Sequence, residues 1–497
     1  MKKRIGVGLA SAVCLCVLCA QAQETNEVEQ LKKRLQQQQE QIDMLIKEVQ
    51  ELKKSQPPAQ PAAPTPAPTA QMPPAAQKTE EQKKLEAQLA AELGATNAQP
   101  AAPGTELQKP WSPAEPITVV RAGSAYMNLS FDALVDAGWS TASDPSQKLE
   151  LGDHDPQTRG FSLRNAELAV DGAVDPYMKG FANIVLKLDN DNNTDIELEE
   201  AYAQSTSLPA NLQAKGGQFF AAFGRINSQH PHAWSFVDAP IISTRMFGPD
   251  GLRNVGAQLS WLAPTPFYTE FFLGVLNGQG NTAFSFRNQD GDDTGANNFM
   301  ARPTIDRTLR GPQDLLYTPR VASSFELTDS QTVVLGVSGA FGPNDTGPHS
   351  RTEIYGADLY WKWKPANSKG GFPFVSWQTE GMYRRFGAGA APDAPTPMPS
   401  ANVTDWGLYS QVLWGFKPRW VVGLRGDYAN GNFESFDSTD PFRGERWRIS
   451  PGLTFYPSEY SKLRIQYNYD HGEYIGVEHS VWVQLEFLLG AHAAHKF

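Results

Sequence analysis

The sequence predicts an all-β fold: a transmembrane antiparallel β-barrel of about sixteen strands, preceded by a coiled-coil helix and a Pro/Ala-rich linker. Three observations predict it. From residue 126 onward, apolar and polar side chains alternate with period two. Past the N-terminus, no apolar run approaches the ~20 residues that a helical membrane span needs. The chain also holds 12 Trp, 15 Tyr and 26 Phe, a supply suited to aromatic girdles at two membrane surfaces.

Residues 1–22 read as an export signal. Lys2, Lys3 and Arg4 form its basic start, residues 5–20 its apolar stretch, and Ala20 and Ala22 its small-residue cleavage site. All 3 cysteines, Cys14, Cys16 and Cys19, fall inside it. Val13, Leu15 and Leu18 precede them where a lipid-anchored Cys needs a small neighbour, so a lipoprotein is excluded. Cleavage leaves a chain without disulfides or thiolate metal sites. The formal net charge of −11 excludes a basic nucleic-acid binder.

Residues 24–54 predict a coiled coil. Val28, Leu35, Ile42 and Val49 recur every seven residues, with Leu31, Gln38, Leu45 and Leu52 at the companion positions. So narrow an apolar seam suits self-association, because a short solvated helix is marginal alone. Gln38 would fix the register. Residues 55–116 turn to Pro, Ala, Gln and Thr, a semi-rigid spacer, with one short helix expected near residues 80–93. Residues 117–497 form the predicted barrel.

Within the barrel, Val255, Ala257, Leu259 and Trp261 alternate with polar neighbours, as do Leu463, Ile465, Tyr467 and Tyr469. Such segments approach the ~9–11 residues of a tilted spanning strand. Long connections are expected at 278–317, 387–402 and 430–445. A girdle is expected from Trp139, Trp261, Trp361, Trp363, Trp414, Trp420 and Trp482. Phe497 fits the terminal aromatic by which outer-membrane barrels are recognised for assembly.

Two resemblances follow. The stretches 159–172 (RGFSLRNAELAVDG), 198–202 (LEEAY) and 217–224 (GQFFAAFG), followed by Asn277 and Gly278, resemble the phosphate-selective porin O/P type and related trimeric porins with an N-terminal coiled coil. The motifs cover roughly residues 125–280. The resemblance implies a sixteen-stranded trimeric channel for small, often anionic solutes. The family's second Arg after the Phe is Asn165 here. More loosely, 230–234 (HPHAW), 248–253 (GPDGLR) and 490–497 (GAHAAHKF) resemble zinc-regulated outer-membrane proteins labelled as TonB-dependent receptors. True receptors of that type carry a plug and about twenty-two strands, for which this chain is too short.

Alternation also assigns sides. Arg425, Arg446, Arg448, Lys462 and Arg464 lie opposite the lipid-facing set, and an Arg or Lys at the bilayer midplane costs roughly 2–4 kcal/mol. They should line the lumen, either as a basic track for anions or as partners of Asp427, Asp470 and Glu486. His230, His232 and Trp234 lie between the fifth and sixth strand patterns, with no period of their own, and are candidates for a constriction. The two histidines are turn residues or, with a third ligand from elsewhere, a zinc site. No cofactor is required, and zinc is the one these residues suggest. No Gly-x-Ser-x-Gly or comparable motif groups catalytic residues, so an enzyme is not expected. The expectation is an outer-membrane channel, its coiled coil periplasmic, self-associating as a homotrimer in the bilayer and passing small solutes. Two alternatives are kept: zinc-linked uptake through lumenal histidines, and an envelope tether whose coiled coil contacts cell-wall polymer.

Overall fold

The computed structural model describes residues 116–490, apart from 190, 288–297, 300–301, 394–396 and 433–443. The expected signal segment (1–22), coiled coil (24–54) and all of the linker (55–116) but its last residue lie outside the described residues. So do His492, His495 and Phe497.

Sixteen strands form one ring: β1 (Ala125–Ser140), β2 (Gly160–Ala173), β3 (Met178–Leu188), β4 (Thr194–Ser205), β5 (Leu212–Phe220), β6 (Arg253–Leu262), β7 (Tyr268–Leu276) and β8 (Leu316–Thr328) make the first half. The second half is β9 (Gln331–Pro343), β10 (Arg351–Trp363), β11 (Phe374–Ala388), β12 (Ala401–Lys417), β13 (Trp420–Asn432), β14 (Arg446–Ser458), β15 (Ser461–Gly472) and β16 (Gly476–Leu489). Each strand pairs antiparallel with the next, as β7 does with β8, and β16 pairs with β1 through Trp482↔Gly138 and Gln484↔Asp136. That last pairing closes the barrel and removes its free edges. A short leading strand, Ile117–Ala122, pairs with the start of β1.

The period-two pattern becomes two surfaces. On β15, Lys462, Arg464, Gln466 and Asn468 are buried inside, while Leu463 and Ile465 are 43% and 48% exposed outside. The same outward set includes Val255, Leu259, Leu335, Val337, Leu408, Leu424 and Leu485. A continuous apolar exterior around a charged interior inverts a soluble β-sandwich and is the distribution of a bilayer-spanning barrel. Among the described residues, no helix is long and apolar enough to cross a membrane.

The connections are asymmetric. One rim carries mostly tight turns, such as 418–419 and 459–460; the other carries 141–159, 221–252, 277–315 and 389–400. With an even number of strands, both ends of the barrel, at Ala125 and Leu489, fall on the tight-turn rim.

One expectation needs correction. Trp139, Trp261 and Trp414 face outward, and Trp361, Trp363 and Trp420 share the outward parity of their strands, but Trp482 is 1% exposed and points inward. Its neighbours Val481 and Val483 hold the outer positions, so strand parity sends the indole into the lumen. Opposite it stands Gly138: a Cβ there would come within 2.1 Å of the Trp482 ring. The missing side chain makes room for the large one at the closing seam.

Candidate functional site: a segment folded across the lumen

The 32 residues between β5 and β6 do not extend outward as a loop. They turn into the lumen and are held to three arcs of its wall. The first anchor is on β11. Glu380 accepts the backbone N–H groups of Arg225 and Ile226 at 3.0 and 2.9 Å, and the Tyr409 hydroxyl at 2.5 Å. Gly224 makes this approach possible. It lies at φ +58°, and a Cβ would sit 2.0 Å from Glu380 Oε2.

The second anchor is acidic. Pro231 begins a single 3-10 turn, Pro231–Ala233, whose extended flank His230 is fully buried. His230 Nδ1 is 2.8 Å from Glu199 Oε2 and 3.2 Å from Glu167 Oε2, and its Nε2 is 3.0 Å from Glu200 Oε2. His232 Nδ1 is 3.2 Å from Glu167 Oε1. Glu167 comes from β2, Glu199 and Glu200 from β4, and Asn183 of β3 lies between them. Both Glu199 and Glu200 point inward because the ladder slips one register between Asn183 and Ile184, the local signature of a bulge. Burial disfavours a charged His230 ring, but the carboxylates of Glu199 and Glu167 outweigh it and hold the imidazole protonated well above its usual range.

The third anchor is basic. Asp238 accepts from Arg425 Nη2 at 2.7 Å, Arg448 Nη1 at 3.1 Å, Gln466 Nε2 at 2.8 Å and Asn468 Nδ2 at 2.7 Å. Burial alone would raise this carboxyl; the two guanidinium groups overrule it and hold it below the usual carboxylate range. A carboxylate so buried persists because its lone pairs are all used. Next to it, Ala239 N–H bonds both oxygens of Asp155 at 3.0 and 3.1 Å. Burial and the neighbouring charge of Asp238 push the Asp155 carboxyl up to about 7. The segment ends in a helix, α1 (Ile241–Phe247), packed against β11, β12 and β13. Phe219, Phe223, Ile242, Met246, Phe247 and Tyr409 form the apolar cluster around it.

The five basic residues singled out in the sequence all face inward, and their partners are now specific. Arg425 and Arg448 hold Asp238 and also pair with Asp427 and Asp470 at 2.8 Å each. Arg446 pairs with Glu150 at 3.3 Å, and Lys462 with Glu486. Arg464 differs: its bonds go to neutral acceptors, the Trp234 carbonyl at 2.7 Å and Gln484 Oε1 at 3.0 Å. Lys462 also reaches the His232 carbonyl. His230, His232 and Trp234 thus lie in the segment that crosses the lumen. Beside them is a cavity of about 190 Å³, lined by His232, Trp234, Phe236, Tyr456, Lys462 and Arg464 among others. Its lining residues Val421, Tyr456 and Lys462 sit close to the tight turns at 418–419 and 459–460, and it has room for roughly six water molecules at ~30 Å³ each.

Sequence reasoning missed Asp238, Glu380, Glu150 and Asp155. Nothing in a local pattern marks a carboxylate whose partners lie far along the chain, 187 to 230 residues away for Asp238. Asp238 does carry one signal, as an acid in an unpatterned segment opposite a predicted basic wall.

No family model matches the sequence. Among solved structures, the outer-membrane channel DcaP of Acinetobacter baumannii has a TM-score of 0.48 at 12% identity, covering 74% of this chain and 98% of that one. Salmonella typhi OmpF, in complex with daunomycin, has a TM-score of 0.43 at 13% identity, covering 74% and 98%. Pseudomonas putida OprB has a TM-score of 0.42 at 11% identity, covering 74% and 94%. At the sequence level, an uncharacterised protein of Aquifex aeolicus (strain VF5) is 31% identical over 361 residues, which cover 69% of this chain and 71% of that protein. The chain belongs to the same family as this Aquifex aeolicus protein.

Proposed function

We propose that the protein is a passive outer-membrane channel for small hydrophilic solutes, anions favoured, with its passage narrowed by residues 221–252. The observation that carries this reading is the inserted segment itself. A barrel that served only as an anchor has no need of a polar interior spanned by a segment tied to three arcs of wall. The cavity beside the segment supports the preference for anions. Of the five basic wall residues, Arg464 alone spends its hydrogen bonds on neutral acceptors, so its charge is least compensated, and it lines the cavity. Binding by one weakly compensated cation is strong enough to admit an anion and weak enough to release it.

The periplasmic coiled coil at residues 24–54 would hold the channels together, as a homotrimer. Planar-bilayer recording of the full chain tests the proposal. Stepwise conductance, in groups of three, and a reversal potential on the anion side are expected, with Arg464→Gln moving that potential toward the cation side. Absence of conductance refutes the channel; cation preference in the wild type refutes the anion reading.

A further inference from the structure

We infer that Glu167, His230 and His232 form a binding site for a divalent transition-metal ion of the zinc class, tying the inserted segment to the barrel wall. The inference stands whether or not the barrel conducts.

Geometry comes first. One donor atom from each of the three residues lies within 4.8 Å of the other two. Two of the contacts are tighter still, with His230 Nδ1 and His232 Nδ1 each 3.2 Å from a Glu167 oxygen. A tetrahedral zinc site with bonds of ~2.0–2.1 Å spaces its donors about 3.3 Å apart. Glu199 Oε2, 2.8 Å from His230 Nδ1, stands at the same nitrogen and supplies the next carboxylate. The outer contacts also match. A metal-bound histidine ordinarily donates its other N–H to a carboxylate, which fixes the tautomer; His230 Nε2 faces Glu200 Oε2 at 3.0 Å.

Charge supplies the independent argument. Asp132 of β1 lies directly across from Glu167 in the ladder, is 0% exposed, and neither of its oxygens accepts a hydrogen bond. Asn183 Oδ1 and Asn165 Oδ1 are likewise buried acceptors without donors. So many inward-facing acceptors in one place suit a bound cation; the cationic side chains whose charge reaches Asp132 are Lys462 and His230. The adjacent group of Asp153 and Glu197 shows the alternative solution: Arg164, Lys187 and Arg253 already serve it as counter-ions. Around Glu199 the ion-pairing partners are the imidazoles of His154 and His230, side chains whose ring nitrogens are themselves ligands for zinc. Two imidazoles with carboxylates suit zinc better than calcium or magnesium, which prefer all-oxygen sets.

The test uses the full chain purified in detergent. Zn²⁺ is competed from a chromophoric chelator, and Co²⁺ is added as a spectroscopic substitute. One tight equivalent of zinc per chain is expected, together with the intense visible bands of four-coordinate cobalt. His232→Ala and Glu167→Gln should each weaken zinc by about 100-fold, and Glu200→Gln by about 10–100-fold, while His349→Ala, in an exposed turn, leaves it unchanged. Circular dichroism confirms that each barrel has folded. A wild type that takes no zinc from the chelator and gives no such cobalt bands overturns the site. So does a folded His232→Ala protein that binds as tightly as the wild type. If the variants do not fold, the wild-type stoichiometry and cobalt spectrum decide alone.

Discussion

Two ends of one segment dock on walls of opposite sign. Eight positions separate His230 from Asp238 along the chain. The first puts an imidazole among Glu167, Glu199 and Glu200 on β2 and β4; the second puts a carboxylate between Arg425 and Arg448 on β13 and β14. At the basic end both arginines are ion-paired and every oxygen of Asp238 is used. At the acidic end acceptors exceed donors, and Asp132 has none. The basic end is therefore built as a finished clamp, whereas the acidic end keeps the surplus of acceptors on which the proposed metal site rests. The segment can lie in only one direction, because turning it around would set carboxylate against carboxylate and imidazolium against guanidinium.

The contrast breaks most readily at Asp238. Asp238→Ala takes from Arg425 and Arg448 the carboxylate they share, leaving each one other, Asp427 and Asp470, and about 3 kcal/mol of stability should be lost. Denaturant unfolding in detergent measures this, and single-channel conductance should rise as the segment loosens. Unaltered stability would mean that Asp427 and Asp470 suffice for both arginines.

Gly224→Ala attacks the anchor on β11 instead. An alanine at this left-handed φ costs about 1–3 kcal/mol, and its Cβ must displace the Glu380 carboxylate. The same unfolding assay reads the loss. Retention of wild-type stability would show that Glu380 moves freely.

Glu200→Gln in zinc-free buffer sharpens the comparison from the other side. It removes one charge from the end with too many, while keeping an acceptor for His230, so the cost should be about 1 kcal/mol or less. A loss as large as that of Asp238→Ala would make the two ends equivalent and erase the distinction.

A separate effect is one of pH. Asp155 titrates near 7 in the folded chain, above the ~3.9 of a free aspartate, so the folded state holds this proton more tightly. Its contribution is full below about pH 4 and fades as pH rises through about 7. Thermal midpoints should fall between pH 5 and pH 8.5, and Asp155→Asn should flatten that part of the profile. An equal slope in the variant would assign the effect to other groups.

Much of the barrel could be read from residue order. Period-two alternation is imposed by the pleat, and in Leu463, Arg464, Ile465 and Gln466 it needs no knowledge of neighbours. Trp482 shows the limit. Its residue type suggested the rim, yet parity with Val481 and Val483 decides its side, and Gly138 of β1 makes the room for it. The histidines at 230 and 232 stood out because they interrupt the pattern, but what they meet did not.

Residue order by itself determined the strand-rich architecture, the inward face of Arg425, Arg446, Arg448, Lys462 and Arg464, and the heptads of residues 24–54, because each depends on spacing along one stretch of chain. Closure of β16 onto β1, the path of residues 221–252 and the partners of His230 and Asp238 were decided only in three dimensions. Each joins residues from distant strands, and the sign of a charge carries no address: a carboxylate finds its arginines only after the ring has closed and brought them to one wall.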